Sequence, residues 1–88
     1  MNSINELSAL IKKIDTSEDV ANFFKELLTE SELETLSKRW RIINMLHEGV
    51  TQREIAKELQ VSLCKVTRGA KILKDKDSIL ANYLLKSK

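Results

Sequence analysis

Proline is absent from the chain, and glycine occurs only at Gly49 and Gly69. With so few breakers, helices can run uninterrupted, and the short, turn-bounded alternating runs that mark strands are not visible. No apolar run approaches the ~20 residues that a membrane-spanning helix needs. The opening segment Met1-Asn2-Ser3-Ile4-Asn5-Glu6 also lacks the basic-then-apolar order of a secretory signal. A single cysteine, Cys64, excludes an internal disulfide and agrees with a reducing compartment, so the expected location is cytoplasmic. Material for chemistry is equally scarce. His47 is the one histidine, with no acidic constellation of metal-ligand spacing, and no nucleophile–base pair, paired carboxylates or phosphate-cradling loop can be assembled. Neither an enzyme nor a metal protein is expected.

What is there suits a soluble globular fold, with 42% hydrophobic and 32% charged residues. At 88 residues the chain is expected to be one domain over 1–88 that buries a modest core and gains from pairing with a second copy. Its net charge of +2 hides an asymmetry. Residues 1–37 carry three lysines against eight acids, about −5, whereas residues 38–88 carry twelve basic groups against five acids, about +7. The basic part is the candidate for meeting a polyanion.

The apolar pattern is helical throughout. Ile4, Leu7, Leu10, Ile11 and Ile14 mark a first amphipathic helix ending near Asp15-Thr16-Ser17, with Ser17 as the expected cap of a second. Val20, Phe23, Phe24, Leu27 and Leu28 face that second helix inward. Thr29 and Glu32 form a capping-box pattern that starts a third, whose expected buried stripe is Leu33, Leu36, Trp40, Ile43 and Leu46. On this spacing Trp40 belongs to the core, not to a base-stacking surface. Gly49 stops the third helix, Thr51 and Glu54 repeat the capping pattern, and Ser62 offers a further N-cap. After the polar stretch 74–78, Ile79, Leu80, Tyr83 and Leu84 mark a sixth helix.

The segment QREIAKELQVSLCKVTRGAKILK carries the functional signal. Ile55, Leu59 and Val66 anchor two short helices, Ala56 lets them cross closely, and Val61 plugs the turn between them. This is helix-turn-helix patterning over about 51–73, with Gln60 at the turn position that often holds glycine. The outer face of the second helix gathers Ser62, Cys64, Lys65, Thr67, Arg68, Lys71 and Lys74. Cations there suit phosphates, and Thr or Arg can also reach base edges in a major groove. Between Thr51 and Lys74 six basic residues face two acids, about +4. A purely structural turn with solvated charges needs the small residue, the apolar plug and the local charge to coincide by accident.

Over residues 28–73 the pieces LLTESELETLSKRWRII, EGVTQREIAKEL and VTRGAKILK resemble the Trp repressor family. Thr67-Arg68-Gly69 after a helix-turn-helix is the most specific of them. The resemblance implies an all-α, six-helix fold forming an intertwined homodimer. Its function would be repression of tryptophan-biosynthesis genes through operator DNA, with L-tryptophan as corepressor and no other cofactor. Two reading helices would then meet successive major grooves about 34–36 Å apart, a spacing known for the motif, of which the Trp repressor is itself a standing example. The family's indole sandwich maps onto Arg39 and Arg68, its ammonium acceptors onto the partner's backbone at Leu28 and Thr29, and Gly69 leaves room beside the ring. The position of a ligand-facing family serine is Ile72. DNA contacts map onto Gln52, Arg53, Cys64, Lys65, Thr67 and Lys74, with Lys71 added from the outer face. Other departures are Lys65 for a family threonine, Glu30 for a proline, Ala56 for a contacting lysine, and a link before Thr51 shorter by one residue.

Two other readings remain open at this point. One is a related DNA-binding regulator with another effector or none; the other is a helical interaction module for an acidic protein. Amino-acid-dependent thermal stabilisation separates the first from a tryptophan repressor, and a steep salt dependence of DNA affinity argues against the second.

Overall fold

The computed structural model describes residues 2–86, which form six α-helices and no strand. They are α1 Ser3–Lys12, α2 Ser17–Leu27, α3 Glu30–His47, α4 Gln52–Leu59, α5 Leu63–Lys74 and α6 Ile79–Lys86. The expected all-helical architecture is thus present. The chain divides into two compact units, one up to Glu34 and one from Thr35 onward.

In the N-terminal unit, short polar side chains set the helix starts. Asn2 caps α1 by accepting the Asn5 N–H at 3.3 Å. The cap of α2 is Thr16, not Ser17: the Thr16 backbone is extended and its Oγ1 accepts the Asp19 N–H at 3.1 Å. Ser17 already has helical geometry as the first residue of the turn. Before α3 the expected capping box is complete, with Thr29 Oγ1 accepting the Glu32 N–H at 3.1 Å and Glu32 Oε1 accepting the Thr29 N–H at 2.9 Å. Phe23 and Phe24 lie 5.9 Å apart between ring centroids. Yet α1 and α2 contribute no fully buried residue.

The C-terminal unit owns the core. Ile42, Met45, Ile55 and Val66 form a buried cluster against which Leu46, Val50, Ala56, Leu59 and Val61 pack. The expected anchors Ile55 and Val66 are both completely buried. On α3 the expected stripe is corrected. Leu36 and Trp40 stay 43% and 45% exposed, whereas Ile43 is buried as expected, together with Ile42 and Met45 from outside the stripe. Helix α3 is apolar on more than one face, and α4 and α5 cover the face bearing Ile42 and Met45. Ala81 and Leu84 of α6 are buried, whereas Ile79 and Tyr83 stand exposed.

Backbone geometry at the two turns explains how α3, α4 and α5 are joined. Gly49 has φ +93°, and the bonds Gly49 N–H to Leu46 C=O (3.1 Å) and Val50 N–H to Met45 C=O (3.0 Å) make a Schellman end for α3. Thr51 then caps α4 through the Glu54 N–H at 3.2 Å. Gln60 closes α4 at φ 56°, ψ 48°, the left-handed region that glycine enters freely and an L-residue enters at a cost. Val61 N–H bonds back to Ala56 C=O at 3.0 Å, which seats the Val61 side chain against the core. Ser62 caps α5 through the Lys65 N–H at 3.4 Å.

Candidate nucleic-acid interface and effector pocket

Helix α5 has two working faces because its apolar residues recur at 66, 69, 70 and 73, a helical stripe that is buried or half-buried. The rest of its circumference is open: Cys64, Lys65, Thr67, Arg68, Lys71 and Lys74 are all exposed. Since Val66 is fully buried beneath this face, the helix is mounted rigidly while its cations reach solvent. Leu63, Cys64, Thr67, Arg68 and Lys71 line one shallow concavity. Arg53 on α4 is exposed as well, and Gln52 is half-buried.

Gln52 and Thr67 are tied together. Thr67 Oγ1 lies 3.1 Å from Gln52 Oε1 and 3.0 Å from the Leu63 carbonyl oxygen, and its single proton serves one acceptor at a time. The contact links the first residue of α4 to the middle of α5, so the two helices of the motif present their polar groups in a fixed relation.

A second concavity of about 280 Å³ lies between α3 and α5 and is lined by Arg39, Ile42, Ile43, Lys65, Arg68, Gly69 and Ile72. The lining follows from two helical stripes, 39/42/43 on α3 and 65/68/69/72 on α5, each spaced at three and four residues. Four of the residues expected to meet an effector, Arg39, Arg68, Gly69 and Ile72, are therefore brought together. Lys65, expected at DNA, joins them, and Ile42 and Ile43 were missed although their spacing from Arg39 signals the same face. Leu28 and Thr29 lie in the other unit, where Leu28 follows α2 and the Thr29 carbonyl accepts the Leu33 N–H at 2.9 Å.

Gly69 sits at a close approach of α5 to α3. A Cβ built there would lie 2.8 Å from Ile42 Cγ2 and 3.4 Å from Leu46 Cδ1. Glycine at this position is thus already required by helix packing, before any ligand is considered. No cluster of metal-ligating side chains occurs among the described residues. His47 ends α3 half-buried, and its Nε2 has no hydrogen-bond partner among them. Among the described residues, no helix is long and apolar enough to cross a membrane.

A family model described as Trp repressor protein matches residues 2–88. The chain belongs to the Trp repressor family. Relatives named "Trp operon repressor homolog" include one from Xylella fastidiosa strain M23, 41% identical over 70 residues, which cover 78% of this chain and 76% of that protein. Another, from Chlamydia caviae, is 37% identical over 84 residues, covering 94% of this chain and 83% of its own length. A third, from Chlamydia trachomatis serovar D, is 36% identical over 78 residues, with coverages of 88% and 83%. No solved structure gives a significant match. Membership of the Trp repressor family makes this chain a transcription regulator of that type and not an enzyme. The Trp repressor family match spans both units, including the N-terminal helices that lack a buried core.

Proposed function

We propose that the protein is a cytoplasmic aporepressor whose homodimer binds operator DNA through α5 and takes L-tryptophan as corepressor in the cavity between α3 and α5, regulating tryptophan-biosynthesis genes. One observation carries this reading. Arg68 lines both the effector cavity and the outward concavity of α5, so an occupant of the first bears directly on the surface offered to DNA. A cavity near 280 Å³ lies just below the usual range of ligand sites, about 300 to 1,000 Å³, and suits an amino-acid-sized molecule. Ile42, Ile43 and Ile72 would receive the ring, and the guanidinium groups of Arg39 and Arg68 can stack on it or pair with a carboxylate. Lys71, Lys74 and Arg53 would neutralise phosphates, and Gln52, Cys64, Lys65 and Thr67 complete the surface expected to meet DNA.

Exposed apolar side chains support the dimer. Ile79 and Tyr83 are 74% and 67% exposed, Leu36 and Trp40 remain uncovered, and neither α1 nor α2 buries a residue. Such surface is costly in water and is ordinarily covered by a partner.

The test is electrophoretic and calorimetric. Operator-like DNA should be retarded more strongly with millimolar L-tryptophan than without it, and Arg39→Ala and Arg68→Ala should abolish the difference. Equal retardation in both conditions, together with no heat of tryptophan uptake, would remove the corepressor. A second reading, a family regulator with a different effector, is favoured by Lys65 and Ile72 in the cavity lining.

A further inference from the structure

Helices α4 and α5 share a side-chain hydrogen bond between Gln52 and Thr67, on the surface proposed to meet DNA. Thr67 Oγ1 lies 3.1 Å from Gln52 Oε1 and 3.0 Å from the Leu63 carbonyl oxygen. The second contact is the usual back-bond of a helical threonine to the carbonyl four residues earlier, and it holds the hydroxyl in one rotamer. Within α5 that carbonyl already pairs with the Thr67 backbone N–H, so it is satisfied without the hydroxyl proton. Gln52 Oε1 has no other donor among the described residues. With the oxygen engaged, the amide of half-buried Gln52 turns its two Nε2 protons away from Thr67. The buried side-chain nitrogen or oxygen left unpaired among the described residues is His47 Nε2, so the unpaired Gln52 Nε2 reaches solvent. Exposed Arg53 beside it, and exposed Lys71 one turn beyond Thr67, make its surroundings cationic.

We infer that Thr67 is a positioning residue: its hydroxyl holds the Gln52 amide by the oxygen, so that Gln52 meets DNA as a hydrogen-bond donor to a phosphate oxygen or a base-edge acceptor. This rests on the proposal that α5 and the start of α4 face DNA, and it names the polarity of one contact in that surface. The reversed amide, with Nε2 donating to Thr67 Oγ1 and the hydroxyl donating to Leu63, would turn an acceptor outward instead. Acceptors are what DNA mostly presents: phosphate oxygens along the backbone, and N7, O6 and O4 in the major groove, against the amino groups of adenine and cytosine alone. An outward acceptor would meet few donors there, so the donor orientation is the one that DNA rewards. Without the Thr67 proton the amide has no reason to face one way, and the contact weakens although Gln52 itself is intact.

The experiment is fluorescence anisotropy with the full chain and two labelled duplexes of equal length, one selected by the protein from a randomised pool and one of random sequence, with and without millimolar L-tryptophan. Thr67→Val and Gln52→Ala should each weaken binding about tenfold, a neutral hydrogen bond being worth roughly threefold in each protomer of the proposed dimer. Combined, they should cost no more than either alone, because Thr67 acts through Gln52. Thr67→Ser keeps the proton and should bind as the parent protein does. Gln52→Glu still accepts that proton but has no donor to offer, and should bind more weakly than Gln52→Ala. An equal loss on both duplexes assigns the acceptor to a phosphate, and a loss confined to the selected duplex assigns it to a base edge. A Thr67→Val protein with a lower denaturant midpoint and unchanged DNA affinity would leave only a structural tie and overturn the inference. So would additive losses in the double variant, which put the Thr67 hydroxyl on the DNA itself, or a Gln52→Glu protein that binds as tightly as the parent, which turns the amide the other way. Failure of the parent protein to bind any duplex in either condition would remove the DNA-binding reading and this inference together.

Discussion

Two residues decide how closely the helices of the C-terminal unit meet. Gln60 holds φ 56° without being glycine, which costs an L-residue roughly 1–2 kcal/mol, against roughly 0.5–1 kcal/mol of extra unfolded-state freedom for glycine. Gln60→Gly is accordingly expected to stabilise the protein by about 0.5–1 kcal/mol, read as a higher denaturant midpoint with unchanged m-value. Gly69 is the opposite case. Alanine there gains about 1 kcal/mol of helix propensity but sets a methyl 2.8 Å from Ile42 Cγ2, and overpacking of this kind costs about 1–3 kcal/mol. Gly69→Ala should lower stability by about 1 kcal/mol. Ile42→Leu, which removes the β-branch, should give back part of that loss in a double-mutant cycle.

At the scale of the element, α5 combines a buried stripe with an open cationic face, and the proposed DNA contact depends on keeping the two apart. Lys71 and Lys74 lie on the open face, so replacing either by alanine should leave the fold unchanged. If each meets one phosphate in both protomers of the proposed dimer, the slope of log affinity against log salt should fall by about 1.8 per substitution. A slope identical to that of the parent protein in both variants would take α5 away from the DNA. Caps matter at this scale as well. Thr29 makes two reciprocal bonds with Glu32, and Thr29→Ala should cost about 1 kcal/mol in thermal unfolding.

For the whole molecule, the surface left uncovered says most. Leu36 and Trp40 are exposed on α3, and Trp40 is the only tryptophan. If a second copy covers that face, sedimentation will give a dimer and Trp40 emission will move to the blue as concentration rises. Leu36→Glu should yield a monomer with red-shifted emission. Emission that stays constant across the association range would separate Trp40 from the interface. A small core in one unit and none in α1 and α2 is what a chain of this size leaves when part of its burial awaits a partner.

Much of this was legible along the chain because it is local. Helix starts follow from side chains that bond their own neighbours, as at Thr29, Thr51 and Ser62, and the anchors Ile55 and Val66 follow from helical periodicity. The Thr16 cap was misplaced by one residue because Thr16 and Ser17 offer the same chemistry, and only the extended φ, ψ of Thr16 separates them. What tertiary structure alone decided is which face of an apolar helix finds a neighbour. Helix α3 offers Leu36 and Trp40 as plausibly as Ile42 and Met45, and packing by α4 and α5 covered the second pair, with Ile43 buried beside Gly69 as expected. The approach of α5 to α3 also brings Lys65, expected at DNA, to the wall of the cavity. Periodicity orders residues around one helix axis, but the partner across the groove belongs to a distant stretch of chain.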